Sequence, residues 1–208
     1  MKVEFGPQRE VARERRAARA AAETFRSACR MADTAAPIFA AHDLNLTIDG
    51  WTMAMRKVAK LPGVADEVRT AFEGVWIEHK ALPQTIGSRA ATTAGLRVLL
   101  RRQVSIQAPI TVFRGAMARE WQTRGYAFSW TTDRRIARDF AEGHRNFDGA
   151  VVFETVAPPD AILWARTAEN FYDEGEVVIN PHKLQRVRVI ERLAPTATVQ
   201  SATNAVSR

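Results

Sequence analysis

The chain has 208 residues, enough for one substantial core or for a domain with a helical extension. Its apolar fraction of 46% and charged fraction of 25% match an ordinary globular protein, and no run of about 18 uncharged apolar residues exists, which excludes a spanning helix. One cysteine, Cys29, excludes an internal disulfide framework and a cysteine-based zinc site, and the net charge of +7 leaves an acidic or phosphate-bearing partner open.

That charge is uneven. Residues 1–108 hold 17 Lys/Arg against 11 Asp/Glu, and residues 109–208 hold 13 against 12, so nearly all the excess lies in the first half. A nucleic-acid or acidic-partner surface and a plain compositional bias toward arginine (25 of the 30 basic residues) both account for it. The N-terminal Met1-Lys2-Val3-Glu4-Phe5 lacks the apolar stretch of a secretory signal, so a reducing, cytoplasmic setting is expected.

In chain order, residues 8–32 predict a helix, because Ala18, Ala22, Phe25 and Cys29 recur at gaps of 4, 3 and 4. Trp51-Thr52-Met53-Ala54-Met55 opens a second amphipathic stretch, stopped by Leu61-Pro62-Gly63. Val64, Val68, Phe72, Val75 and Trp76 mark a third helical face, and residues 84–103 predict a fourth helix with Leu96, Leu99 and Leu100 inward. After Pro109 the texture becomes β-like. Ile110-Thr111-Val112-Phe113 predicts a strand ending at Arg114-Gly115, and Tyr126 to Ser129 predicts a second.

Residues 134–142 predict a short helix capped by Thr132 or Asp133. Strands are then expected at Ala150 to Val156, Ile162-Leu163-Trp164, Glu176 to Ile179 and Val187 to Ile190. The expected class is α+β: a helical lobe over 1–108, a mostly antiparallel β-rich core over 109–193, and a disordered tail over 194–208, with the first two forming one globular unit.

Three short segments could carry chemistry. Arg114 followed by Gly115 sets a planar cation beside bare backbone, which suits bidentate contact with phosphate or carboxylate. Ser129 and Thr131 alternate on a strand, so their hydroxyls face one side and Trp130 the other. Glu174 and Glu176 are two apart; in an extended chain both carboxylates point the same way, and their repulsion raises the proton affinity of one. Such a pair suits cleavage of a glycosidic bond, where positive charge develops on a sugar ring. Taken singly, each segment is an ordinary surface pattern. The histidines His42, His79, His144 and His182 show no metal-ligand spacing, and no Walker or dinucleotide glycine loop occurs.

In this order and with these flanks, the trio resembles the arginine–serine–glutamate class of mono-ADP-ribosyltransferases, over roughly residues 109–192. Phe113-Arg114-Gly115 matches the aromatic-Arg-Gly strand, and Ser129 matches the first serine of the Ser-Thr-Ser strand. Glu174-Gly175-Glu176 matches the Glu-x-Glu strand start. Trp130 and Thr131 depart from the family's Thr and Ser.

The resemblance implies a helical N-terminal lobe on a β-sandwich-like core, NAD as co-substrate and no metal. Arg114 would hold the NAD pyrophosphate, backbone at Gly115 would meet the nicotinamide amide, and Ser129 and Thr131 would line the site, with Ser129 orienting Glu176. Glu176 would bond the nicotinamide ribose, and Glu174 would orient or deprotonate an acceptor arginine. Phe171 and Tyr172 would sit in the acceptor loop, and Arg145, in Gly143-His144-Arg145-Asn146-Phe147, would be a cation over the phosphates. The implied activity is transfer of ADP-ribose from NAD to an arginine of a protein target, as in small phage or toxin-like members. Transfer to nucleic acid and NAD hydrolysis are alternatives within enzymes. A non-catalytic binding or virion structural module on the same fold is the alternative of another class.

Overall fold

A computed structural model describes residues 7–35, 44, 47, 49–78, 87–101, 106–145, 148–165 and 175–195. The class is α+β, and the chain divides into two compact units, Met1–Ser105 and Ile106–Arg208. The tail beyond Pro195 lies outside the described residues. Among the described residues, no helix is long and apolar enough to cross a membrane.

Among its described residues the first unit holds the helices α1 (Pro7–Met31), α2 (Gly50–Val58), α3 (Asp66–Glu78) and α4 (Arg89–Leu99). The stripe read from the sequence is the buried face of α1, with Ala18, Ala22, Phe25 and Cys29 all inside. Phe25 joins three helices, since its ring meets Trp51 of α2 edge-on at 5.5 Å and Phe72 of α3 at 6.3 Å. Burying one such ring contributes about 2–3 kcal/mol. Apolar surroundings push the Cys29 thiol up to about 12, so it is a packing group, not a nucleophile.

Close approach of α4 to α2 depends on Gly95, where a Cβ would run into the Met55 side chain. This helix is shorter than expected. Its start is set by Ser88, whose Oγ accepts from the Ala91 amide at 3.3 Å, and Leu100 beyond its end is buried but extended. Residues 84–86 and 102–103 of the expected span lie outside the described residues.

Among its described residues the second unit is a six-stranded, wholly antiparallel sheet with two helices and two single 3-10 turns. Its elements are β1 (Ile110–Met117), α5 (Ala118–Thr123), β2 (Ser129–Thr131), α6 (Arg134–Gly143), β3 (Ala150–Ala157), β4 (Ile162–Ala165), β5 (Glu176–Ile179) and β6 (Arg188–Leu193). Spatial order is β4-β5-β2-β1-β3-β6. On one face, Val112, Ala116, Trp130, Val151, Phe153, Val177 and Ile179 form the larger core, with Trp121 and Tyr126 packed on it. On the other face, Ala137 and Ala141 of α6 pack on Ala150 and Val152.

Two expected strand limits need correction here. Strand β1 does not end at Arg114-Gly115; it runs on to Met117, paired with β3 throughout. Gly115 lies within β1, where a Cβ would overlap the Ala137 carbonyl oxygen and the Ala141 amide of α6. It marks a close approach of helix to strand. The second strand starts at Ser129, not Tyr126, and the helix α5 between β1 and β2 was not expected at all.

Candidate active site

The sheet order makes β5, β2 and β1 neighbours, so the three strands that carry the sequence motifs lie side by side at its centre. Glu176 stands opposite Thr131, and Thr131 opposite Phe113. Directly opposed residues have Cβ atoms about 4.5–5.5 Å apart, whereas a diagonal pair is about 7–8 Å apart. Ser129 faces Val178, so it is the diagonal neighbour of Glu176 and Thr131 the direct one. The expected alternation in β2 is present: Trp130 enters the larger core, and Ser129 and Thr131 leave by the other face.

Arg114 is held on three sides. Its Nε donates to Glu120 Oε2 at 3.1 Å, its NH2 to Glu120 Oε1 at 2.8 Å, and its NH1 to the Ser129 carbonyl at 2.8 Å. The Arg114 and Glu120 side chains are only 13% and 23% exposed, so this fork-on-fork pair is sheltered from solvent. Glu120 is a site residue that sequence reading missed. It reaches Arg114 only because α5 turns back over the strand that precedes it.

The β1–β2 ladder is thin. Among the described residues β1 bridges β2 at one position, Phe113 opposite Thr131, while all eight β1 residues pair with β3. Past that bridge, the Arg114 guanidinium supplies the next tie to β2 through Ser129. Alternation sends Arg114 to the Trp130 side of the sheet, with Val112 and Ala116, and sends Glu176 to the Thr131 side, away from Val177. The two charged groups are thus brought within two strands of each other, on opposite sides of β2.

Gly175, which separates the two glutamates, is not extended. Its φ is +56°, in the left-handed region, its carbonyl accepts from the Thr132 amide at 3.0 Å, and a Cβ would overlap Thr132 Oγ1. Period-two alternation holds only through extended backbone, so it carries no relation between the two side chains across this residue. Glu174 itself, like Phe171 and Tyr172, lies outside the described residues.

Two further groups stand at the ends of α6. The cap of α6 is Asp133, whose carboxylate accepts from Arg135 and Ile136, while Thr131 Oγ1 accepts from the Asp133 amide at 3.0 Å. At the other end of α6, His144 follows Ala137 and Ala141 at gaps of 4 and 3, the spacing that shares a helix face. Partial burial, and then the neighbouring Arg114 charge, hold its imidazole below the usual histidine range, with Glu120 opposing. Arg145 sits one residue beyond, ion-paired with Glu142 at 3.5 Å. Asn146 and Phe147 lie outside the described residues, and among those described no cluster of His, Cys, Asp or Glu is arranged to hold a metal ion. No protein-family model matches the chain, and neither a curated protein nor a solved structure does.

Proposed function

We propose that the β unit is an NAD-dependent mono-ADP-ribosyltransferase that modifies arginine side chains of a protein. The observation that carries this reading is the adjacency of β5, β2 and β1, which sets Glu176, Thr131, Ser129 and Arg114 around one thin seam in the sheet. NAD supplies the glycosidic bond to be broken. Glu176, fixed at the first position of β5, offers a carboxylate to the positive charge that develops on the ribose. Thr131 and Ser129 present hydroxyls on the same face of the sheet, within reach of ribose hydroxyls or of that carboxylate.

Arg114 is the anion-binding group. Glu120 and the Ser129 carbonyl fix the plane of its guanidinium, so phosphate contact comes from a group already oriented. Arg114 and Glu176 lie on opposite faces of the sheet, so a ligand that touches both has to span the two faces beside β2. Glu174 orients the acceptor guanidinium.

The test is incubation with NAD labelled on its adenylate half, in the presence of cell lysate, for the wild type, Glu176→Ala and Glu174→Gln. Label on protein, lost in both variants, supports arginine transfer. Retained NAD hydrolysis in Glu174→Gln assigns the two carboxylates separate jobs. Label on nucleic acid, or nicotinamide release with no acceptor labelled, replaces the acceptor; a wild type that does neither sinks the enzyme reading.

A further inference from the structure

The N-terminal half of α1 has no buried stripe. From Arg9 to Ala17 every residue is exposed except Glu14, which is half-buried, and the packed face begins only at Ala18. The helix carries seven arginines, no lysine and three glutamates. At about 100° per residue, Arg9, Arg13, Arg16, Arg19, Arg26 and Arg30 fall in one sector, away from Ala18, Ala22, Phe25 and Cys29.

The one carboxylate in that sector, Glu23, is already neutralised: it accepts from Arg26 at 2.7 Å and from Lys57 at 2.5 Å. Among the described residues no ion pair engages Arg9, Arg13, Arg15, Arg16 or Arg19. The result is a cationic edge about 32 Å long, from the rise of about 1.5 Å per residue between Arg9 and Arg30.

We propose that this arginine face of α1 docks on the phosphate backbone of duplex nucleic acid. Length and charge spacing fit a duplex, which carries one negative charge per roughly 1.7 Å of its axis. Guanidinium forks match phosphate oxygens bidentately. A single strand is the poorer fit, because binding of single strands draws on aromatic platforms and the exposed large apolar side chains of α1 are Val11 and Met31. A lipid surface is also poorly matched, since the apolar face of α1 is occupied by the core of its own unit. Contact is to phosphates, so binding is indifferent to base sequence. The inference concerns the helical unit alone and stands whether or not the β unit transfers ADP-ribose.

The experiment uses the full chain and a fluorescein-labelled random-sequence DNA duplex, with anisotropy read across a salt series. Wild type binds, and the logarithm of its association constant falls linearly with the logarithm of salt concentration. The combined Arg9→Gln, Arg13→Gln and Arg16→Gln variant binds at least roughly tenfold more weakly at about 0.1 M salt, with a slope shallower by about 2–3. Glutamine is a good helix former at these exposed sites, so circular dichroism of that variant stays at the wild-type level. Neutralising the flank with Glu10→Gln and Glu14→Gln tightens binding. The inference is overturned by no duplex binding at about 50 mM salt, or by a triple variant that binds as well as wild type. Single strands that bind more tightly than the duplex, or polyglutamate that displaces it, also overturn it; polyglutamate would assign the face to an acidic protein.

Discussion

Two arginine–glutamate pairs, one in each unit, are almost equally short and carry different weight. Arg26–Glu23 closes at 2.7 Å on the surface of α1, with side chains 33% and 44% exposed. Arg114–Glu120 closes at 2.8 Å, but both groups are sheltered and the contact is two-pronged. In water-like surroundings such a pair is screened and its net contribution is close to nil. Under cover, loss of one partner strands a charge that cannot be rehydrated cheaply. Distance is therefore the least informative property of either pair. The helical unit pairs these charges on its surface and is held by apolar packing; the β unit shelters one pair, Arg114 and Glu120, whose two members must stay matched.

The sharpest test of that contrast uses two glycines. Gly115→Ala is expected to lower stability by about 3 kcal/mol or more in denaturant unfolding, since the new methyl meets α6 backbone, which cannot rotate away. Gly95→Ala meets chiefly a methionine side chain and gains helix propensity of about 1 kcal/mol, so its net loss is smaller. Equal losses would break the distinction between rigid and yielding neighbours.

Next in size, Glu120→Ala is expected to cost about 2 kcal/mol and to weaken any anion held at Arg114. Glu23→Ala should leave the unfolding midpoint nearly unchanged. Calorimetry on both variants decides whether shelter, and not distance, sets the value of each pair. Asp133→Ala removes the cap from two α6 amides and should cost about 1 kcal/mol.

The smallest expected effect is a pH dependence. His144 is held below the ordinary value of 6.5 in the fold, so on acidification the unfolded chain takes up its proton first. Its contribution is therefore intact above about pH 6.5 and is lost as pH falls through the lowered folded value. Unfolding midpoints measured between pH 7 and pH 5 should fall more gently for His144→Asn than for wild type. A parallel pair of curves would remove His144 from the Arg114 neighbourhood.

Local pattern made some parts legible and left others hidden. The α1 stripe and β5 were readable because their periodicity spans the whole element: four residues at helical gaps in one, Glu176 to Ile179 in the other. Strand β1 was read too short because glycine looks like punctuation in a sequence, whereas Gly115 is there for a helix that arrives over twenty residues later. Tyr126-Ala127-Phe128 looks like strand but serves by packing and edge contact: Tyr126 lies edge-on to Phe153 at 5.3 Å, and the Phe128 carbonyl accepts from Ile179. Glu120 had no local signal, since six residues of α5 show no apolar period. The strand-borne residues Arg114, Ser129, Thr131 and Glu176 could be nominated from pattern, but their relative faces could not. Those depend on register, which is a property of partners.

The thin seam between β1 and β2 has a mechanical consequence. A sheet whose halves are joined, among the described residues, by one backbone bridge and the Arg114 clasp concentrates shear between them at that crease. Arg114 is both the clasp and the group assigned to phosphate. A substitution that loses the donor to Ser129 loosens the crease and, on the function proposed above, removes the anion contact with it, so only a variant that keeps that tie can separate recognition from architecture.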